Sequence, residues 1–185
     1  MILAFTGAGI SQASGLPTFQ EQGDLRECLS RSYQASHPVE FEEIISNMKQ
    51  VCDNALPNEA HIVLADFDIP VITMNVDGLH KRAGTKHLLE IHGSLPDVVL
   101  YGDPAPRYAD AHDWVFKLRR DDVFLIIGTS YYTNISEQLK ICAMSCGAKI
   151  VEINDCAEIK VPDYIFNNIN KMGFFEEFLR REYEI

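Results

Sequence analysis

Apolar residues in this chain fall into short unbroken runs, each ended by glycine, asparagine, histidine or serine. Met1 to Phe5 breaks into Gly7-Ala8-Gly9, Pro70-Val71-Ile72-Thr73 stops before Asn75, and Leu88 to Ile91 stops at His92-Gly93. Val98 to Tyr101 ends at Gly102-Asp103, Val123 to Ile127 at Gly128-Thr129-Ser130, and Lys149 to Ile153 at Asn154-Asp155. Runs this short, bounded by turn residues, predict β-strands. The run Val123 to Ile127 contains no polar residue, as expected of a parallel strand covered on both faces. Between the runs the spacing turns helical: Leu25, Cys28 and Leu29; Phe41, Ile44, Ile45 and Met48; Leu139, Ile141, Ala143 and Met144; and Phe174, Phe175, Phe178, Leu179 and Tyr183. Pro57-Asn58-Glu59-Ala60-His61 has the composition of a helix start, with Ile62, Val63, Leu64 and Phe67 as its buried face. Strands alternating with helices predict an α/β fold with an open parallel sheet. Ligands of such sheets bind at the carboxyl ends of the strands, where the polar residues here collect.

Length and composition predict one domain over residues 1–185. With 46% apolar and 23% charged residues the chain is globular, and no apolar run approaches the ~20 residues that span a bilayer. No basic leader precedes the first strand, so the expected location is cytoplasmic. A net charge of −11 argues against nucleic acid as a partner and favours cationic ones such as lysine-rich peptides. The five cysteines form no C-x-x-C pair; Cys142 and Cys146, one helical turn apart, are expected to be small buried side chains. No metal site is expected. The sequence leaves the oligomeric state open.

A Gly-Ala-Gly turn after a strand suits close approach of a phosphate to backbone N–H groups, because Gly7 and Gly9 carry no Cβ. Taken by itself it serves equally well as a tight strand–helix connection, since Gln12 stands where the common dinucleotide fingerprint has its third glycine. His61, His80 and His87 read as structural histidines.

Several segments, in order, resemble the sirtuins, the NAD-dependent protein lysine deacylases. They are Gly7-Ala8-Gly9-Ile10-Ser11 with Ser14-Gly15-Leu16-Pro17-Thr18-Phe19; Pro57-Asn58-x-Ala60-His61; Thr73-x-Asn75-Val76-Asp77-Gly78-Leu79-His80 with Ala83-Gly84; Ile91-His92-Gly93-Ser94; Pro96 to Asp103; Gly128-Thr129-Ser130; and Ile153-Asn154. The resemblance implies a Rossmann-like sheet with helices on both faces, and NAD as cofactor. It also implies an acyl-lysine protein or peptide as substrate. By the same resemblance Gly7, Ala8, Gly9 and Ser11 hold the pyrophosphate, with Ser11 and Asn75 positioning the nicotinamide ribose. Asp77 bonds the nicotinamide carboxamide, Phe19 walls the nicotinamide pocket, and Gln20 lies near phosphate and ribose. Gly128, Thr129 and Ser130 contact phosphate and ribose, and Asn154 the adenosine ribose. His92 is implied as the general base toward the ribose hydroxyls, with Asn75 and Asp77 beside it; its unperturbed pKa of about 6.5 suits that role. The acyl oxygen attacks the anomeric carbon as nicotinamide leaves, so the acyl group passes to ADP-ribose.

The chain departs from the family pattern at several points. The four-cysteine zinc module between His-Gly and the next strand is absent, because Ser94-Leu95 runs directly into Pro96-Asp97. The expectation is therefore no structural zinc, and a reduced helical subdomain over residues 20–56. Gln20 replaces an arginine, Met74 replaces a glutamine, and Tyr131 to Ile135 replaces the segment that pins the peptide. These departures keep two alternatives open: an NAD glycohydrolase or ADP-ribosyltransferase, and a non-catalytic NAD or ADP-ribose binding module.

Overall fold

The computed structural model describes residues 1–18, 25–129 and 134–154, and the backbone of 164–166. Its first half runs β1 (Ile2–Thr6), a 3₁₀ segment (Ala8–Ser14), α1 (Leu25–Cys28), α2 (Arg31–Ser36), α3 (Pro38–Asn54), α4 (Glu59–Asp66), β2 (Val71–Thr73), α5 (Leu79–Arg82) and β3 (Leu88–Glu90). Its second half runs β4 (Gly93–Ser94), β5 (Asp97–Val98), α6 (Tyr108–Val115), β6 (Val123–Ile127), α7 (Asn134–Ser145), β7 (Lys149–Ile153) and β8 (Tyr164–Phe166).

Six strands form one parallel sheet in the order β3-β2-β1-β6-β7-β8. Counting only strands of this sheet, that is the 3-2-1-4-5-6 order of the Rossmann fold. The direction of winding reverses between β1 and β6, and that reversal opens the ligand crevice of such sheets. Alternate side chains of these two strands feed opposite layers. Ile2, Ala4, Val123, Leu125 and Ile127 pack with Ala60, Val63 and Leu64 of α4. Leu3, Phe5, Phe124 and Ile126 pack with Ala111 and Val115 of α6 and Leu139 and Ala143 of α7. Burial on both faces explains the absence of polar residues in β6. Cys142 lies in the second layer with Cys146 packed against it, and burial pushes the Cys142 thiol up.

The run Val98 to Tyr101 does not enter this sheet. Its first residue closes a small antiparallel pair, Gly93 against Val98 and Ser94 against Asp97, across the two-residue turn Leu95-Pro96. Leu100 then plugs a separate small core within the helical excursion formed by α1 to α3, where it meets Leu29 between α1 and α2 and Phe41 and Ile45 of α3. Backbone bonds from Tyr101 N–H to Leu29 O (2.9 Å) and from Arg31 N–H to Tyr101 O (2.9 Å) tie the run to the helical excursion. An apolar run that docks a neighbouring element has the same sequence pattern as a sheet strand, so the strand expected in the sheet is instead a docking segment. The far end of α3 is fastened by Arg82, whose guanidinium donates to the carbonyls of Cys52, Asp53 and Ala55. Those are among the carbonyls that a helix C-terminus leaves without partners.

Helix α6 and strand β8 extend the expected element set. The aromatic spacing from Phe174 to Tyr183 lies outside the described residues. Among the described residues, no helix is long and apolar enough to cross a membrane, and no group of three or more His, Cys, Asp or Glu could hold a metal ion.

Candidate active site

Three glycines bring the ends of β1 and β6 into backbone contact at the point of winding reversal. A Cβ on Gly7 would lie 2.7 Å from Gly128 O, one on Gly9 2.7 Å from Gly128 Cα, and one on Gly128 2.3 Å from Ile10 N. Gly7 N–H donates to Ile127 O (3.0 Å) and Gly9 N–H to Gly128 O (2.8 Å). Both amides thus serve the inter-strand contact. Close approach of two chain segments is thus a physical reason for glycine at these positions. Beside this contact the Thr129 hydroxyl is buried with no hydrogen-bond partner among the described residues. A buried hydroxyl without a partner is costly, so it marks a position built for an incoming polar group. The residues present here fit a dinucleotide. Asn154 Nδ2 donates to Thr129 O (2.8 Å) and links the end of β7 to the same ledge.

The ends of β1 and β2 are joined by one polar network. Ser11 Oγ donates to Asp77 Oδ2 (2.7 Å), and Asp77 Oδ1 accepts from Leu79 N–H (2.8 Å) at the start of α5. Asn75 is nearly buried; its Nδ2 donates to Gly7 O and to Ser11 Oγ (both 3.1 Å), which leaves Oδ1 as an acceptor. Asn58 caps α4 and reaches across to donate to Ile10 O (2.7 Å) and Ser14 Oγ (3.0 Å), so the 3₁₀ segment is held from below. Ser11 therefore bridges Asn75 and Asp77, so the three residues expected at the site form one chain of hydrogen bonds.

His92 follows β3 and is bound at both ring nitrogens. Its Nδ1 lies 3.2 Å from Met74 O, and a carbonyl can only accept, so Nδ1 carries the proton. The lone pair of the neutral ring is thereby on Nε2, 2.9 Å from the Tyr108 hydroxyl, which donates to it. Burial pulls the imidazole below its ordinary pKa, opposed by the bond to Met74 O, so the ring is a neutral base near pH 7. Phe19, Gln20 and Ser130 lie outside the described residues.

A family model described as the Sir2 family matches residues 7–96. A Bacillus cereus protein named NAD-dependent protein deacetylase is 30% identical, over 95% of this chain and 91% of its own. The chain belongs to the Sir2 family. A Pyrobaculum aerophilum relative named NAD-dependent protein deacetylase 1 is 34% identical, over 82% of this chain and 78% of its own. The Bacillus alignment runs over 225 positions, more than the 185 residues present, so that relative carries residues with no counterpart in this Sir2 protein. Among solved structures, a Sir2 homologue mutant in complex with ADP-ribose superposes with a TM-score of 0.88 at 23% identity, over 100% of this chain and 93% of its own. A Sir2 homologue in complex with NAD gives 0.86 at 24% identity, over 97% and 89%. These two likenesses establish the fold.

Two features of this Sir2 protein go beyond what the sequence predicts. Tyr108 opens α6, which the spacing of Ala111, Val115 and Leu118 could have revealed, although nothing local ties it to His92. The second is a buried histidine pair beneath the site, His61 and His80, with ring centroids 4.8 Å apart. Thr6 Oγ1 donates to Thr73 Oγ1 (2.8 Å), so it accepts from His80 Nε2 (2.9 Å). Burial lowers the pKa of His61 from 6.5 to about 4, Asp77 and Arg82 adding smaller opposed effects. Burial, then His61, lowers that of His80 to about 3. In the unfolded chain both histidines take up protons as pH falls through about 6.5, while the folded chain refuses them until about 4 and 3. Stability is therefore lost as pH falls through that window. Between pH 7 and 5 each ring is expected to remove about 2 kcal/mol of unfolding free energy. Urea midpoints at the two pH values check this, with a flatter pH response in His80→Gln; equal midpoints in the parent protein would contradict it.

Proposed function

We propose that this chain is an NAD-dependent protein lysine deacylase. It cleaves NAD to nicotinamide and passes the acyl group of an acyl-lysine protein or peptide to ADP-ribose. The observation that carries this reading is the tautomer of His92: its Nδ1 proton is held by the carbonyl of Met74, the residue preceding Asn75, which leaves a basic lone pair on Nε2. The names of the relatives, NAD-dependent protein deacetylase and deacylase, support it. Bound NAD supplies a ribosyl carbon carrying a cationic leaving base. The protein's own part is orientation and exclusion of water around that carbon. Gly7, Ala8, Gly9, Gly128, Thr129 and Ser130 would hold phosphate and ribose, and Asn154 the distal ribose. Ser11, Asn75 and Asp77 would fix the nicotinamide end, with Phe19 walling it and Gln20 near phosphate and ribose. His92 takes the proton from a ribose hydroxyl at Nε2.

Residues 1–185 would act as one domain with 20–56 as its helical subdomain. The turn at Leu95-Pro96 supports a form that needs no zinc module. The proposed location is cytoplasmic, and a peptide partner of cationic character accords with the net charge of −11. The test is a single incubation of NAD with and without a panel of acyl-lysine peptides, following nicotinamide and peptide mass. Nicotinamide release that requires an acylated peptide and matches its loss of mass is the expected result. ADP-ribose formed equally without peptide would instead identify a glycohydrolase. That outcome is made concrete by Met74, whose thioether accepts from Ser136 Oγ (3.7 Å) and offers a ribose no amide.

A further inference from the structure

The Nε2 lone pair of His92, the atom that must accept a proton, is already held by the Tyr108 hydroxyl at 2.9 Å. A substrate hydroxyl can reach that lone pair in one of two ways: the phenol leaves, or the phenol conducts the proton. Departure is opposed by packing. Tyr108 is the first residue of α6, and its ring packs against the layer that contains fully buried Ala111 and Val115 one and two turns further on. Its N–H also donates to Ala105 O (3.3 Å). Conduction needs no movement. A phenol oxygen that donates one hydrogen bond keeps acceptor capacity for another. Half-burial raises the phenol above its ordinary pKa of 10, so the group remains a neutral O–H wherever His92 is a neutral base.

We propose that Tyr108 is a catalytic residue that relays the proton of a substrate hydroxyl to His92 Nε2, a role that rests on the deacylase reading above. As the substrate O–H bond breaks, its proton passes to Tyr108 Oη and the former Tyr108 proton passes to Nε2. The electron pair stays on the substrate oxygen. Tyr108 ends as the same neutral phenol and His92 as an imidazolium, with its Nδ1–H still on Met74 O. The net transfer is the one assigned to His92, carried over one additional hydroxyl. The effective base is thereby extended from the His92 ring to the Tyr108 hydroxyl.

Tyr108→Phe keeps the ring and its packing and removes only the hydroxyl. Three quantities are read: kcat with an acyl-lysine peptide, the affinity for ADP-ribose, and the ¹⁵N shift of His92 Nε2 in the ligand-free protein. The relay predicts a fall in kcat of about 10²-fold, the lower end of what a positioned proton-transfer group contributes. ADP-ribose should still bind, weakened by no more than about tenfold for the one hydrogen bond lost, which also certifies that the variant is folded. The Nε2 resonance should move to that of an imidazole nitrogen with no donor on it. Unchanged kcat, or a loss confined to KM, overturns the relay. The two readings separate cleanly. A parent protein that turns over no acyl-lysine peptide ends the deacylase reading and the relay with it, whereas an active parent with a fully active Tyr108→Phe ends the relay alone.

Discussion

Alanine at position 92 is expected to lower acyl-lysine turnover by about 10²–10⁴-fold while ADP-ribose still binds. The size follows from what the ring does. Its Nδ1–H is pinned by Met74 O, and its Nε2 is the neutral, proton-accepting atom at the end of that chain of bonds. No described hydrogen bond runs from His92 to the network of Ser11, Asn75 and Asp77 or to the glycine contact, so truncation leaves those parts of the site in place. The loss should therefore appear in kcat, with KM for NAD little changed, the signature of an interaction made in the transition state. A calorimetric titration with ADP-ribose beside steady-state kinetics measures both. A His92→Ala protein with parental turnover would remove the general base from the mechanism. Equal inactivity of parent and variant, with intact binding, would instead leave a ligand-binding module.

Much of this site was legible in the sequence because its parts sit at strand ends, where the composition changes abruptly. Ser11, Asn75, Asp77 and His92 each follow an apolar run within a few residues, and the parallel sheet then gathers those ends on one edge. The three-dimensional reason for the glycines was not legible. Gly7 and Gly9 invite a phosphate-loop reading, but what they meet is Gly128, more than a hundred residues away, and that pairing depends on β1 lying beside β6. The same limit hid Tyr108, which meets His92 through the packing of α6 and carries no mark of that contact in its own neighbourhood. It also misplaced Val98 to Tyr101, since an apolar run does not say whether it completes a sheet or plugs the core of a helical excursion. The sequence offers His61 and His80 only as structural histidines; their tilted ring contact and the resulting acid sensitivity arise only when α4 and α5 pack together.

Gly128→Ala is expected to destabilise the protein by about 3 kcal/mol or more and to weaken ADP-ribose binding in the fraction that folds. Two costs add at this position. The residue sits at φ +59°, where a Cβ costs roughly 1–2 kcal/mol. Its Cβ would also lie 2.3 Å from Ile10 N and 2.5 Å from Gly9 C. Both are backbone atoms of the facing turn, so neither can rotate away as a side chain would, and forced overpacking of this kind costs typically a further 1–3 kcal/mol. Two companion substitutions separate the contributions. Gly15 sits at φ +82° with nothing within 4 Å of its would-be Cβ, so Gly15→Ala carries the dihedral cost alone, about 1–2 kcal/mol. Gly7 sits at φ −124°, which any residue adopts, yet its Cβ would meet Gly128 O at 2.7 Å; Gly7→Ala therefore carries the clash alone. Urea unfolding of the three variants should rank Gly128→Ala as the most destabilised, with a lower midpoint at an unchanged slope. Gly7→Ala and Gly128→Ala, but not Gly15→Ala, should also lose affinity for ADP-ribose, because spreading the β1 and β6 ends displaces Thr129 from its buried place beside them. If Gly128→Ala proved as stable as Gly15→Ala, the backbone contact between the two strand ends would not be holding the turn, and Gly7 and Gly9 would need another explanation, the approach of the phosphates themselves.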